Sequence, residues 1–409
     1  MDWNFLIRNK SAISVSTDTR NLPAGCVFFA LHGERFDGNQ FAAQALANGA
    51  SLAVIDNPDY ALPKGTLLVP DTLLALQELA REWRRELGLP IIAITGTNGK
   101  TTTKELLATV LSTKYNIHYT QGNLNNQIGV PLTLLSITRA HEMAIVEMGA
   151  SHPGDIKELV DIAEPNYGLI TNVGRAHLEG FGSFEGVQRT KQELYDYLVA
   201  HKGTIFRNSD NPFLAQMHEN AISNLLALQG GDGDRLITYT TGTMPSGTHL
   251  VGEYNAENVS AAICVGDYFG ISHEQSLQAI CDYVPTNNRS QNLKTPHNQL
   301  VVDAYNANPT SMQAAINAFK GDTYILGAMR ELGEYSHLEH QNVVNILAER
   351  KADMVLLVGK EYMETTSPYL VFEDVGALHS YLENNPLRDR HILLKGSRST
   401  QMEKLLDIL

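Results

Sequence analysis

A chain of 409 residues is longer than one hydrophobic core usually supports, and 43% hydrophobic content is enough for two or three domains. Its formal net charge of −14, from 31 basic and 45 acidic residues, excludes a broad nucleic-acid footprint, which needs clustered Lys and Arg. No apolar run reaches the roughly 18 residues of a membrane span, and Cys26, Cys264 and Cys281 lie far apart without metal-ligand spacing, so neither membrane insertion nor a zinc site is expected.

Thiols without partners fit a reducing compartment, and Met1–Phe5 lacks a basic segment followed by an apolar core. A cytoplasmic protein is expected. Residues 1–87 read as a small α/β unit: Val27–Leu31 and Leu52–Ile55 are β-leaning runs, and Phe41–Gly49 between them has helical spacing. Thr17, Asp18 and Arg20 gather a hydroxyl, a carboxylate and a guanidinium in one short loop. Asp71 and Gly88 then bracket a helix as cap and stop.

Residues 88–285 form the second unit, and its opening carries the strongest signal. Ile91–Ile94 is an apolar strand that runs into Thr95–Gly96–Thr97–Asn98–Gly99–Lys100–Thr101–Thr102, where a helical pattern begins. Such a loop turns backbone N–H groups toward one point, and the helix adds the positive end of its dipole. Polyphosphate fits there, with Lys100 on the terminal phosphates and the Thr101 hydroxyl on Mg²⁺. The stricter Walker spacing wants glycine where this chain has Ile94. Farther on, Asn123, Asn125 and Asn126 form an amide-rich loop, and Met143–Val146 is a strand ending in Glu147, well placed to hold Mg²⁺. The strand Gly168–Val173 delivers His177, and a helix over Val187–Leu198 carries Lys191. Asn255 is expected to cap a helix, with Asn258 one turn later.

From 286 to 409 the pattern is that of a doubly wound unit. The strand Leu300–Val302 ends in Asp303, Tyr305, Asn306 and Asn308, and Pro309 starts a helix that Asn308 caps. The last strand, His391–Leu394, ends in Lys395, Ser397 and Arg398, suited to a carboxylate or phosphate. Ligands should gather along the edge to which these strands deliver their C-terminal ends.

A phosphate loop with Mg²⁺ ligands serves kinases, motor ATPases, GTPase switches and ATP-dependent ligases. A ligase needs ATP, a carboxylate and an amine at one point, which three units would supply. The Thr95–Thr103 loop resembles the ATP signature of the Mur ligases, as do Gly33–Gly38, Gly122–Pro131, Asn172–Glu179, Asp303–Met312 and Lys395–Arg398 in their order. That resemblance implies an α/β fold of three domains: a small α/β N-terminal domain (1–87) for the UDP-linked substrate, a central P-loop ATPase domain (88–285) and a Rossmann-like C-terminal domain (286–409) for the amino substrate. It further implies a monomer that joins D-alanyl-D-alanine to UDP-N-acetylmuramoyl-tripeptide through an acyl phosphate. Another Mur-type ligase, a folylpolyglutamate-synthase-like ligase or a non-catalytic ATP-gated binding protein are the alternatives.

Residue by residue, the resemblance assigns Lys100 to the ATP phosphates and Thr101 with Glu147 to one Mg²⁺. His177 and an N-carboxylated Lys191 fall to a second metal position. Asn258, Arg289 and Asp303 fall to the nucleotide, Asn123, Asn125 and Asn126 to the muramyl peptide, and Thr17, Asp18 and Arg20 to the uridine end. Tyr305, Asn306, Asn308, Lys395, Ser397 and Arg398 fall to the amino-substrate side.

Overall fold

The computed structural model describes residues 2–33, 36–228, 235–286 and 289–409. Glu34 and Arg35 of the first turn segment, and Asn287 and Asn288 before Arg289, lie outside the described residues.

Three larger sheets follow one another along the chain, with helices between their strands, as the α/β expectation required, and His32–Gly33 pairs with Phe36–Asp37 in a small two-stranded ribbon. The first has four parallel strands in the order Val15–Ser16, Val27–Phe29, Leu52–Ile55, Thr66–Leu68. Helix Thr72–Leu87 starts where the Asp71 carboxylate accepts the Leu74 N–H at 2.8 Å, and Gly88 ends it in the left-handed conformation. Both ends are as predicted. This helix also ties the first sheet to the second: Trp3, Phe29, Trp83, Ile91 and Val130 belong to one continuous apolar core.

The central sheet has six parallel strands in the order Arg235–Tyr239, Thr204–Asn208, Tyr167–Ile170, Ile91–Thr95, Met143–Glu147, Ile117–Tyr119. Ile91–Thr95 is buried throughout, as a parallel strand covered on both faces must be. Its neighbours deliver Glu147 and Thr171 to either side of the loop that follows it.

In the C-terminal sheet the order is Gln291–Lys294, Gln299–Asp303, His391–Lys395, Thr323–Gly327, Met354–Val358, Leu370–Phe372, and only the first pair is antiparallel. Asn308 caps helix Pro309–Ala318 with Pro309 in its first turn, as expected.

Two features depart from the sequence reading. Helix Pro212–Leu228 and strand Arg235–Tyr239, which follow Phe206, are not among the expected elements. Asn255 does not cap its helix: it begins Asn255–Tyr268, its Nδ2 donates to the Val251 carbonyl at 2.7 Å, and its Oδ1 accepts from Asn258 at 2.9 Å. An amide inside the first turn engages the preceding segment's carbonyl and a side chain one turn on rather than the orphan N–H groups.

Candidate active site

The C-terminal ends of the central strands and of Gln299–Asp303 and His391–Lys395 meet at a cleft of about 790 Å³. Its floor is the phosphate loop, with Thr97, Asn98, Gly99, Lys100, Thr101 and Thr102 in the lining. Thr95 and Gly96 lie beneath: the Thr95 hydroxyl donates to the Met148 carbonyl at 2.8 Å. Gly96 has φ +143, and a Cβ there would stand 2.0 Å from Thr171 Oγ1. Only glycine takes that conformation in that space.

The segment after Tyr167–Ile170 stitches the loop in place. Thr97 N–H donates to the Asn172 carbonyl at 2.9 Å, Asn98 N–H to Asn172 Oδ1 at 3.0 Å, and Gly174 N–H to Thr97 Oγ1 at 2.9 Å. Behind the loop, Asn258 Oδ1 accepts from Thr103 Oγ1 at 3.0 Å. Lys100 Nζ donates to the carbonyls of Gly96 and Thr97 at 2.7 and 3.0 Å. Burial pulls its pKa down to about 8; Glu147 opposes that shift and Arg289 adds to it.

Glu147 is buried, and its Oε1 accepts from Asn125 Nδ2 at 2.9 Å and from Thr101 Oγ1 at 3.3 Å. Its Oε2 is buried without a hydrogen-bond partner. A carboxylate oxygen left unmatched beside a threonine hydroxyl and a phosphate loop fits a hard divalent cation. Lys104, to which the sequence reading gave no role, lies behind it fully buried, 3.8 Å from Oε2 and 2.6 Å from the Thr120 carbonyl. Its only signal was a place on the same helix face as Leu107, Ala108 and Leu111.

His177 lines the cleft, but its ring is in contact with the Glu331 carboxylate, which that contact holds below the usual carboxylate range. Lys191 is buried under the cleft rather than in its lining, 5.6 Å from the centre of the Phe181 ring. Burial, then the charge of Lys100, lowers its pKa well below that of an ordinary lysine and so favours the neutral amine. Among the described residues, no group of three or more His, Cys, Asp or Glu side chains stands ready as a metal cluster.

On the facing side, Asp303 pairs with Lys395 at 2.5 Å, because the two residues are partners in adjacent parallel strands. The Arg289 guanidinium lies 3.8 Å over the Tyr305 ring, and Arg398 lies 5.4 Å from the same ring. Asn123, Asn126, Asn306 and Arg398 also line the cleft. Asn308 and Ser397 are buried outside it; Ser397 Oγ has no hydrogen-bond partner. Thr17, Asp18 and Arg20 are elsewhere, after strand Val15–Ser16, where Arg20 pairs with Asp18 at 2.6 Å. A second cavity of about 480 Å³ lies in the same N-terminal unit, among His32, Asp37, Asn39 and Asp56.

A phosphate loop facing a further α/β unit across one cleft, with a third unit packed on the same apolar core, defines an enzyme that brings a nucleotide to other substrates. The family model for the Mur ligase middle domain matches residues 94–266, that for the Mur ligase glutamate ligase domain residues 288–398, and that for the Mur ligase family catalytic domain residues 13–84. The chain belongs to the Mur ligase family of ATP-dependent ligases. Among its relatives, the UDP-N-acetylmuramoyl-tripeptide–D-alanyl-D-alanine ligase of Bacillus subtilis is 34% identical, over 96% of this chain and 92% of its own. The Escherichia coli protein of the same name is 35% identical, over 97% and 93%. A crystal structure of MurF from Acinetobacter baumannii matches with a TM-score of 0.82 at 30% identity, over 96% of this chain and 92% of its own. That of the MurF ligase from Thermotoga maritima in complex with ADP matches at 0.84 and 25% identity, over 97% of each.

Proposed function

We propose that this chain joins D-alanyl-D-alanine to UDP-N-acetylmuramoyl-tripeptide with ATP, in the cytoplasm, during peptidoglycan precursor synthesis. The observation that carries the proposal is one cleft lined by the phosphate loop, by Asn125 and Glu147, and by Asp303, Lys395 and Arg398. In this reading residues 1–87 hold the UDP-linked substrate, 88–285 hold ATP, and 286–409 present the amine.

The terminal carboxylate of the peptide attacks the γ-phosphorus in line; a new P–O bond forms as the bond to ADP breaks, leaving an acyl phosphate. Lys100 leaves the Gly96 and Thr97 carbonyls for the phosphate oxygens and neutralises charge there. The amine of D-alanyl-D-alanine then attacks the acyl carbon, phosphate departs, and the amine loses a proton. Mg²⁺, which Thr101 and Glu147 would hold, supplies further charge stabilisation on the phosphates. The second metal position rests on His177 and Lys191. A neutral Lys191 amine is the form that CO₂ carboxylates, giving an anionic oxygen ligand where an ammonium would repel the cation. Domains packed across the cleft keep water from the acyl phosphate.

ADP release is the test, measured with UDP-N-acetylmuramoyl-tripeptide and with or without D-alanyl-D-alanine. Strong dependence on the dipeptide is expected; its absence would refute the assignment. For Lys191, a Lys191→Ala variant should be inactive and recover with short carboxylic acids.

A further inference from the structure

One contact between the central and C-terminal units has no part in the chemistry above. Asn98 sits in the middle of the phosphate loop, and its backbone is fully used within the central unit. Its N–H donates to Asn172 Oδ1 at 3.0 Å, and its carbonyl accepts from Thr171 Oγ1 at 2.6 Å. The side chain goes the other way: Asn98 Oδ1 accepts from Asn308 Nδ2 at 2.8 Å, and Asn98 Nδ2 donates to Asn308 Oδ1 at 3.4 Å, across 210 positions of sequence.

Asn308 has a second bond. Its Oδ1 accepts the Ser311 N–H at 2.9 Å, which caps helix Pro309–Ala318. Two residues on, Thr310 Oγ1 accepts the Arg175 N–H at 3.1 Å, and the Arg175 guanidinium reaches the buried carboxylate of Glu339 at 3.0 Å. The first turn of a C-terminal helix therefore rests on the phosphate loop and on the very segment that stitches that loop.

We propose that Asn98 and Asn308 are a coupling pair: positioning residues that set the C-terminal unit on the phosphate loop, so that nucleotide in the loop and delivery of the amine are linked. Asn308 is placed to do this because one amide serves both units, the carbonyl capping its own helix and also accepting from Asn98 Nδ2, and the NH₂ donating to Asn98 Oδ1. When Lys100 exchanges the Gly96 and Thr97 carbonyls for phosphate, the loop backbone adjoining Asn98 changes partners, and the amide pair carries that change across the cleft. Linkage then runs both ways: a docked amine site tightens nucleotide, and nucleotide favours docking. The role of the amine rests on the ligase reading; the link between nucleotide and docking does not.

Asn308→Ser separates the two bonds, since serine caps a helix but is too short to reach Asn98. Asn98→Ala removes the other partner and leaves the Ser311 N–H to Asn308 Oδ1 cap bond in place, and the double variant closes the cycle. The Michaelis constant for D-alanyl-D-alanine should rise about tenfold in each single variant, with kcat changed far less, and the double variant should be no worse than either. A distance between spin labels on the central and C-terminal units should shorten when a non-hydrolysable ATP analogue binds the wild type, and should not respond in either variant. Wild-type Michaelis constants with an intact distance response, or single effects that simply add, would overturn the proposal. Should Asn308→Ser fail to fold, Asn98→Ala decides. Because the distance measurement needs nucleotide alone, it stands even if dipeptide-dependent ADP release is absent and the ligase reading falls.

Discussion

The cleft and the edge of the first sheet are both built from the C-terminal ends of parallel strands, yet they are held in different ways. In and beneath the cleft, partners come from distant parts of the chain: Asp303 with Lys395, His177 with Glu331, and, under the loop, Asn98 with Asn308. At the first sheet, Asp18 and Arg20 pair with each other on the surface, and that contact, above all the Arg20 hydrogen bond, holds the Asp18 carboxyl at about 2. A short-range pair in water fixes a local turn and little else. A group whose partner lies across a cleft registers every movement of the units that carry it.

The largest effect should come from the cleft floor. Lys100→Ala is expected to lower kcat/KM by roughly 10²–10³-fold, the usual range for losing one charge-stabilising group, while the unfolding midpoint holds, since an ammonium disfavoured by burial is being removed. Activity above a tenth of wild type would place the charge stabilisation elsewhere. Gly96→Ala should come next: a Cβ driven to 2.0 Å from Thr171 Oγ1 at φ +143 must displace the loop, with about 1–3 kcal/mol of strain. Calorimetric titration with ADP should then find no binding under conditions where the wild type saturates.

A smaller effect is expected at the edge strand that leads into the amide loop. Burial, and after it His141, lowers the pKa of His118 to about 4, against 6.5 for a free imidazole. Between those values the unfolded chain holds the proton and the folded chain does not, so stability present above pH 6.5 is lost as pH falls toward 4. Allowing for partial solvent exposure, the loss should be about 1–2 kcal/mol. His118→Gln should flatten the denaturant midpoint against pH in that window; an unchanged slope would assign the acid sensitivity to other groups. Smallest of all, Arg20→Ala should leave the unfolding midpoint where it is and raise only the Michaelis constant for the UDP-linked substrate, several-fold. A drop in stability there would erase the contrast between the two regions.

What could be read from the sequence was what is local. The phosphate loop is a strand, a turn and a helix start in one run, and the physics that makes it bind phosphate acts over a dozen residues, so Thr95–Thr102 was legible as a unit. The caps at Asp71 and Asn308 were legible for the same reason. Helix Pro212–Leu228 was missed because its pattern is apolar around much of its surface rather than along one stripe. Strands of three residues such as Ile117–Tyr119 carry too few positions to show a period.

By itself, then, the sequence determined three α/β units, a phosphate loop and the residue types around it, because hydrophobic period, turn chemistry and capping are written in neighbouring positions. Only the tertiary structure decided which strand lies beside which. Inserting His391–Lys395 between Gln299–Asp303 and Thr323–Gly327 is what sets Lys395 against Asp303. Packing likewise decided that Lys191 and Lys104 are buried, that Asn308 faces the loop rather than the cleft, and that His177 meets Glu331. Burial and long-range pairing depend on contacts between residues far apart in the sequence, such as the 92 positions between Asp303 and Lys395 and the 210 between Asn98 and Asn308, and no local pattern encodes them.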